Sequence, residues 1–168
     1  MTFRVAKIVS GGQTGVDRAS LDVAMALQIP CGGWCPRGRR AEDGRIHERY
    51  PLEETDSRSY ASRTIQNVID SDGTLILAFG RVTGGTLLTK NVAEQRRKAC
   101  LVVDLTEPHE VAAVQDWLRE HEIRVLNVAG PRASQAPDAY RLATGILVKL
   151  LKPAAPIARK RRRLRPKA

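Results

Sequence analysis

The sequence predicts a three-layer α/β fold around a parallel sheet of five strands or slightly more, and three observations carry that prediction. Short continuous runs of Val, Ile and Leu alternate with amphipathic segments, as expected of strands buried on both faces and joined through helices. Two glycine-rich turns, at 11–15 and 83–86, each stand between a strand pattern and a helix pattern. No internal repeat interrupts the alternation.

Residues 4–10 read as the first buried strand, and 17–28 as a helix with Leu21, Ala24, Met25 and Gln28 at helical intervals. A short second strand follows at 29–33. The pattern then breaks over 34–57, where prolines and glycines crowd the start, four arginines fall between Arg37 and Arg45, and apolar anchors are few. A long irregular excursion is expected there, and loops of that length are usually functional or disordered. A helix at 58–69 carries Tyr60, Ile65, Val68 and Ile69, and the strand 74–79, a helix at 86–97 and the strand 101–105 come next. The helix at 108–122 is expected to hold Pro108 in its first turn and to present Val111, Val114, Trp117 and Leu118 on one face. The strand 124–129 and the helix 137–151 complete a single domain over 1–151. Ligands of such sheets bind beyond the carboxyl ends of the strands, where strand order reverses, so the loops that follow strands are the candidates.

The 168 residues suit one core, and the formal charge of +10 is concentrated at one end. Residues 152–168 hold eight basic side chains and no acidic one, whereas 1–151 hold 20 basic against 18 acidic. The tail, with Pro153, Pro156 and Pro166, is expected to be a solvated, disordered arm making weak, non-specific contact with nucleic acid. No apolar run approaches the ~18–20 residues a membrane helix needs, and no signal peptide opens the chain, which predicts a cytoplasmic protein without membrane contact. Three cysteines, an odd number, point to reduced thiols. Cys31 and Cys35 with His47 fall short of the four ligands of a structural zinc site, so no metal is expected.

Four loops could carry chemistry. In the first, Gly11, Gly12 and Gly15 permit close backbone approach at a helix start, Gln13 and Thr14 could add donors, and Arg18 could reach the same anion. Asp17 sits awkwardly there, since its carboxylate would repel a phosphate; a plain strand-to-helix turn is the alternative. In the second, Thr83, Gly84, Gly85 and Thr86 would bring another anion-binding helix end to the same sheet edge, or form an ordinary turn capped by threonine. In the excursion, Trp34 could stack on a flat ring and Arg37, Arg39 and Arg40 could fork onto phosphate oxygens, or the arginines could pair with Glu42 and Asp43. In the fourth, Asn127 and Arg132 could close over the ligand or simply end a strand. His47, His109 and His121 lie in the excursion or on polar helix positions, and no serine or cysteine occupies a nucleophile elbow, so no catalytic residue is expected.

The ordered set Ile-Val-Ser-Gly-Gly-Gln-Thr-Gly-Val-Asp-Arg-Ala (8–19), Gly-Gly-Trp-Cys-Pro-Arg-Gly-Arg-Arg-Ala-Glu-Asp-Gly (32–44), Arg-Tyr-Pro-Leu (49–52), Asp-Ser-Asp-Gly-Thr-Leu-Ile-Leu (70–77), Thr-Gly-Gly-Thr (83–86) and Leu-Asn-Val-Ala-Gly-Pro-Arg (126–132) resembles the putative molybdenum carrier family. The resemblance spans about residues 5–150 and implies a Rossmann-like fold related to the lysine-decarboxylase-like, or LOG, proteins. It further implies homo-oligomeric carriers, dimers or tetramers, that hold molybdenum cofactor, a pterin with a dithiolene and a terminal phosphate, for molybdoenzyme recipients. Related phosphoribohydrolases carry a catalytic glutamate three residues after the threonine of the second glycine turn; Thr89 stands there in this chain, and Glu94 lies more than a turn later. A non-catalytic carrier is therefore expected, with a nucleotide-binding or nucleotide-hydrolysing enzyme of the LOG type, and a nucleic-acid module using the basic tail, as the alternatives.

Overall fold

A computed structural model describes residues 4–152; the basic tail expected beyond Lys152 lies outside the described residues. β1 (Lys7–Val9) leads through α1 (Val16–Ala26) to β2 (Cys31–Gly32). The excursion holds four two-residue strands, β3 (Trp34–Cys35), β4 (Arg40–Ala41), β5 (Gly44–Arg45) and β6 (Glu53–Glu54). α2 (Tyr60–Ile69), β7 (Gly73–Ala78), α3 (Gly84–Gln95), β8 (Ala99–Asp104), α4 (Val111–Glu120), β9 (Val125–Ala129) and α5 (Ala139–Leu151) follow.

The central sheet is five-stranded and parallel, in the order β2-β1-β9-β7-β8, and the five helices flank it as in a Rossmann-like α/β fold. Crossover handedness assigns the layers. The steps β1 to β2 and β8 to β9 run in one direction across the sheet, and β2 to β7 and β7 to β8 in the other, so right-handed connections put α1 and α4 on one face and α2 and α3 on the opposite face. The packing agrees: α5 lies against both α1 and α4, and α2 lies against α3.

β7, buried along its whole length, supplies Leu75 and Leu77 to the main core, where they meet Ile8, Leu126 and Val128 from neighbouring strands and Val16, Leu118 and Leu147 from helices. Each such side chain contributes on the order of 1.5–3 kcal/mol when fully buried. β8 is the far edge strand and leaves Val102 exposed.

Three sequence expectations change. The second strand keeps only Cys31–Gly32, because Gly33 adopts φ 128° with no room for a Cβ beside the Ser10 carbonyl. α4 starts at Val111 behind an extended Glu110, so Pro108 precedes the helix instead of opening it. The excursion, expected to be irregular, is built: β3 pairs with β6, β4 pairs with β5, and Leu21, Cys35, Ala41, Ile46, Tyr50 and Leu52 form a second small core. Arg39, 5% exposed, organises it. Its guanidinium donates to the carbonyls of Ile46 (3.0 Å), Leu52 (3.1 Å), His47 (3.0 Å) and Tyr50 (2.9 Å). Four of its five N–H groups are spent on the chain itself and the residue is buried, which commits Arg39 to the excursion and not to a phosphate.

Candidate functional site

The loops after β1, β9 and β7 leave three adjacent strands, and they diverge: the first two run to helices on one face, the last to α3 on the other. A cleft of about 240 Å³ opens where they part, lined by Gln13, Tyr60, Arg63, Gly85, Thr86, Arg132 and neighbours from α2 and α3. Two arginines and no carboxylate face it.

The glycine turn before α1 is closed by protein. Pro131 accepts the Val16 N–H at 3.3 Å, Gln13 accepts the Arg18 N–H at 3.0 Å, and the Asp17 carboxylate accepts the Gln13 N–H at 3.2 Å. Each glycine makes room for a specific neighbour: a Cβ on Gly11 would strike the Arg63 guanidinium, one on Gly12 would strike Leu52, and one on Gly15 would strike the Pro131 carbonyl. Above the turn, the excursion contributes a latch. Glu42 accepts from the hydroxyls of Thr14 and Ser134 and from the Ser134 N–H at 3.1 Å, with Arg132 Nε 3.8 Å away. Asp43 takes both guanidinium nitrogens of Arg18 at 2.7 and 2.9 Å.

Asp17 answers its own puzzle. It is 3% exposed and pairs with Arg63 Nη1 at 3.1 Å, so its charge is turned into the floor of the site and held by a cation. Burial nonetheless pushes its carboxyl above the ordinary range, against the pull of Arg63 and of the Gln13 N–H. Arg63 Nε is buried without a hydrogen-bond partner.

The turn before α3 is open. Thr83 gives its helix no side-chain cap, and the N–H groups of Gly84, Gly85 and Thr86 make no hydrogen bond to the described residues. A Cβ on Gly85 would meet nothing within 4 Å. Gln13 adds an aimed donor. Its Oε1 is fixed by the N–H groups of Thr14 (3.0 Å) and Glu42 (2.9 Å), so its Nε2 points away from both, and this side chain, 7% exposed, lines the cleft.

Of the residues singled out from sequence, Gln13, Gly85, Thr86 and Arg132 share this cleft, and Gly11 lies under Arg63 at its floor. Thr83 borders an adjoining lobe with Thr86, and Gly84 lies beneath Gln135. Asn127, 3% exposed, donates to Thr74 Oγ1 at 3.2 Å below the cleft. Thr14 and Arg18 face the latch. Trp34 stands apart: its backbone N–H reaches Asn67 and its indole N–H reaches Asp70, both at 2.7 Å, which docks the ring on α2. Arg37 is exposed, and Arg40 lies over the Tyr60 ring and donates to the Arg58 carbonyl. Sequence reasoning missed Arg63, Thr64, Tyr60 and Gln135, which belong to an ordinary amphipathic helix and a polar loop; the one available signal was a buried acid, Asp17, in need of a cation.

Among the described residues no group of three or more His, Cys, Asp or Glu could hold a metal ion, and no helix is long and apolar enough to cross a membrane. Burial pushes the Cys31, Cys35 and Cys100 thiols up, which keeps them protonated at neutral pH.

Residues 8–151 match the circularly permutated YpsA SLOG family, and the chain belongs to that family. A crystal structure from Syntrophus aciditrophicus SB, of a protein described as a "Putative molybdenum carrier protein", is 45% identical, covers 89% of this chain and 96% of its own, and superposes with a TM-score of 0.85. No curated protein matches.

Proposed function

We propose that this member of the circularly permutated YpsA SLOG family binds a phosphorylated small molecule in the cleft before α3 and acts as a carrier. The observation that carries the reading is the cleft's composition: Arg63 and Arg132, the amide of Gln13 and an uncapped helix start converge on a space with no carboxylate. An anion entering it meets donors already aimed, and the Arg63 Nε gains a partner it lacks within the protein.

Molybdenum cofactor is the ligand to test first, on the strength of the name given to the Syntrophus protein and of the phosphate that the cofactor carries. A non-catalytic role is supported by Thr89. At the place where the related phosphoribohydrolases carry glutamate, its hydroxyl donates to the Gly85 carbonyl at 2.9 Å, and Glu94 is engaged with Lys90 at 2.6 Å. The proposed carrier is a homo-oligomer serving molybdoenzymes.

Thermal-shift titration with molybdenum cofactor, molybdate, AMP and ADP-ribose tests this, because a ligand bound by the native state alone raises Tm by mass action. Native mass spectrometry of the same samples reads stoichiometry and subunit number. Stabilisation by the cofactor and not by molybdate supports a phosphate-anchored carrier; stabilisation by nucleotides alone moves the assignment to a nucleotide-binding protein; no shift with any of them removes the reading.

A further inference from the structure

The cleft does not end at α3. A second lobe of about 230 Å³ continues past the helix start, lined by Phe79, Arg81, Val82, Thr83, Pro131 and Ala136. The two lobes share two residues, Thr86 and Gln135. Gly85 borders the first lobe and Thr83 the second, so the free N–H groups of α3 stand at the waist between them.

Two side chains at this groove have donors unused by the protein. Thr86 is 9% exposed, borders both lobes, and its hydroxyl makes no hydrogen bond to the described residues. Gln13, 7% exposed, turns its free Nε2 into the first lobe. Neither donor is sealed from solvent, since the buried side-chain nitrogen or oxygen without a partner among the described residues is Arg63 Nε, so both are open to a ligand or water. Either lobe alone falls short of the ~300–1,000 Å³ of ordinary ligand sites, whereas the two joined at the waist reach that range.

We propose that the ligand's anionic group is internal to the molecule: a diphosphate bridge seated on the α3 start at the waist, with one organic group in each lobe. The proposal rests on the phosphorylated-ligand reading above and narrows it. A terminal phosphate would fill the waist and leave one lobe to water. The lobes also differ in chemistry. The first is cationic and hydrogen-bonding, through Arg63, Arg132, Gln13 and Tyr60; the second sets Phe79, Val82 and Ala136 beside the single cation Arg81. They suit two unlike arms.

Isothermal titration with ADP, ADP-ribose and inorganic pyrophosphate tests the arrangement. ADP is the more negative of the two nucleotides but has one organic arm, so charge alone favours ADP and two occupied lobes favour ADP-ribose. The expected result is ADP-ribose at least ten-fold tighter than ADP, with pyrophosphate weakest. Val82→Trp, which fills the second lobe from a half-buried loop position, should bring ADP-ribose down to the affinity that ADP shows for the same variant. ADP binding as tightly as ADP-ribose, or an advantage that survives Val82→Trp, overturns the two-lobe proposal and leaves the phosphorylated-ligand reading standing. Absence of binding by all three, with the cofactor still stabilising, also overturns it; absence of binding by the cofactor as well removes both.

Discussion

The two glycine-rich turns look alike in sequence and do opposite work in the structure. Each follows a central strand and opens a helix. Before α1, the glycines admit protein: the Arg63 guanidinium, Leu52 and the Pro131 carbonyl take up the space that their missing side chains leave. The Val16 and Arg18 N–H groups are already bonded, and Asp17 supplies the negative charge that the helix dipole favours. Before α3, nothing fills the space at Gly85 and nothing caps the helix. A glycine thus reports that something approaches the backbone closely, without telling whether the visitor is the chain itself or a ligand.

The largest effect expected from this contrast comes from placing one substitution in each turn. Gly12→Asp puts a carboxylate against Leu52 and Ile46 at φ 73°, so urea unfolding should show a loss on the order of 4 kcal/mol from strain and burial of charge. Gly85→Asp meets open space within the first turn of a helix, where an acid stabilises by ~0.3–1 kcal/mol. That variant should melt no lower than the parent and yet lose ligand binding. If both variants unfold, or both bind, the turns do not differ in the way described.

Arg63 comes next in size, because it joins the closed turn to the open cleft. Arg63→Met leaves Asp17 buried without its cation, a change that typically costs 3–5 kcal/mol, reduced here toward about 3 because the pair keeps some contact with solvent. The pH dependence has a definite sign. Burial raises the folded-state pKa of Asp17, so its contribution to stability is full below the ordinary carboxylate value of about 4 and is lost as pH rises through the raised value. Relative to Asp17→Asn, the parent protein should therefore lose stability as pH climbs above that range, and the defect of Arg63→Met should shrink on acidification. Denaturant titrations at several pH values read both. A parent that instead gains stability over Asp17→Asn as pH rises would mean that the charged pair outweighs burial.

The strand and helix pattern made the sheet, the five helices and both turns legible, because burial on two faces and one-sided helices leave regular spacings. The excursion was not legible. Its order rests on Arg39, whose four carbonyl partners spread from Ile46 to Leu52, and on a core shared with Leu21 from α1. Arginine-rich, proline-rich composition has no local periodicity from which such a hub could be read. Trp34 illustrates the same limit: an aromatic in a glycine-rich segment suggests a stacking surface, yet the ring is committed through Asp70 to α2, 36 residues away. The cleft was half legible, since turns announce themselves and the helix facing them does not. Tyr60, Arg63 and Thr64 sit on α2 among residues with the same composition as any solvated helix face.

The smallest expected effect concerns how the closed turn is kept closed. Burial works against ionisation of Glu42, but hydrogen bonds from Ser134 and Thr14, with Arg132 nearby, hold its carboxyl below the usual range; the Arg18 guanidinium does the same for Asp43. Both groups have folded-state pKa values depressed below their unfolded ones, so the stability they add is present above about pH 4 and is lost as pH falls through the depressed values. Screening by solvent limits each contact to about 1 kcal/mol or less. Glu42→Gln keeps one acceptor and removes the charge, so global stability should move little, while amide exchange over residues 36–46 should quicken several-fold at neutral pH and match the parent in acid. The same variant frees Arg132, 3.8 Å from Glu42, toward the cleft. Anion affinity should then rise modestly as exchange quickens, because one cation serves both the latch and the ligand. Faster exchange with unchanged affinity would separate the two turns completely and confine the latch to structure.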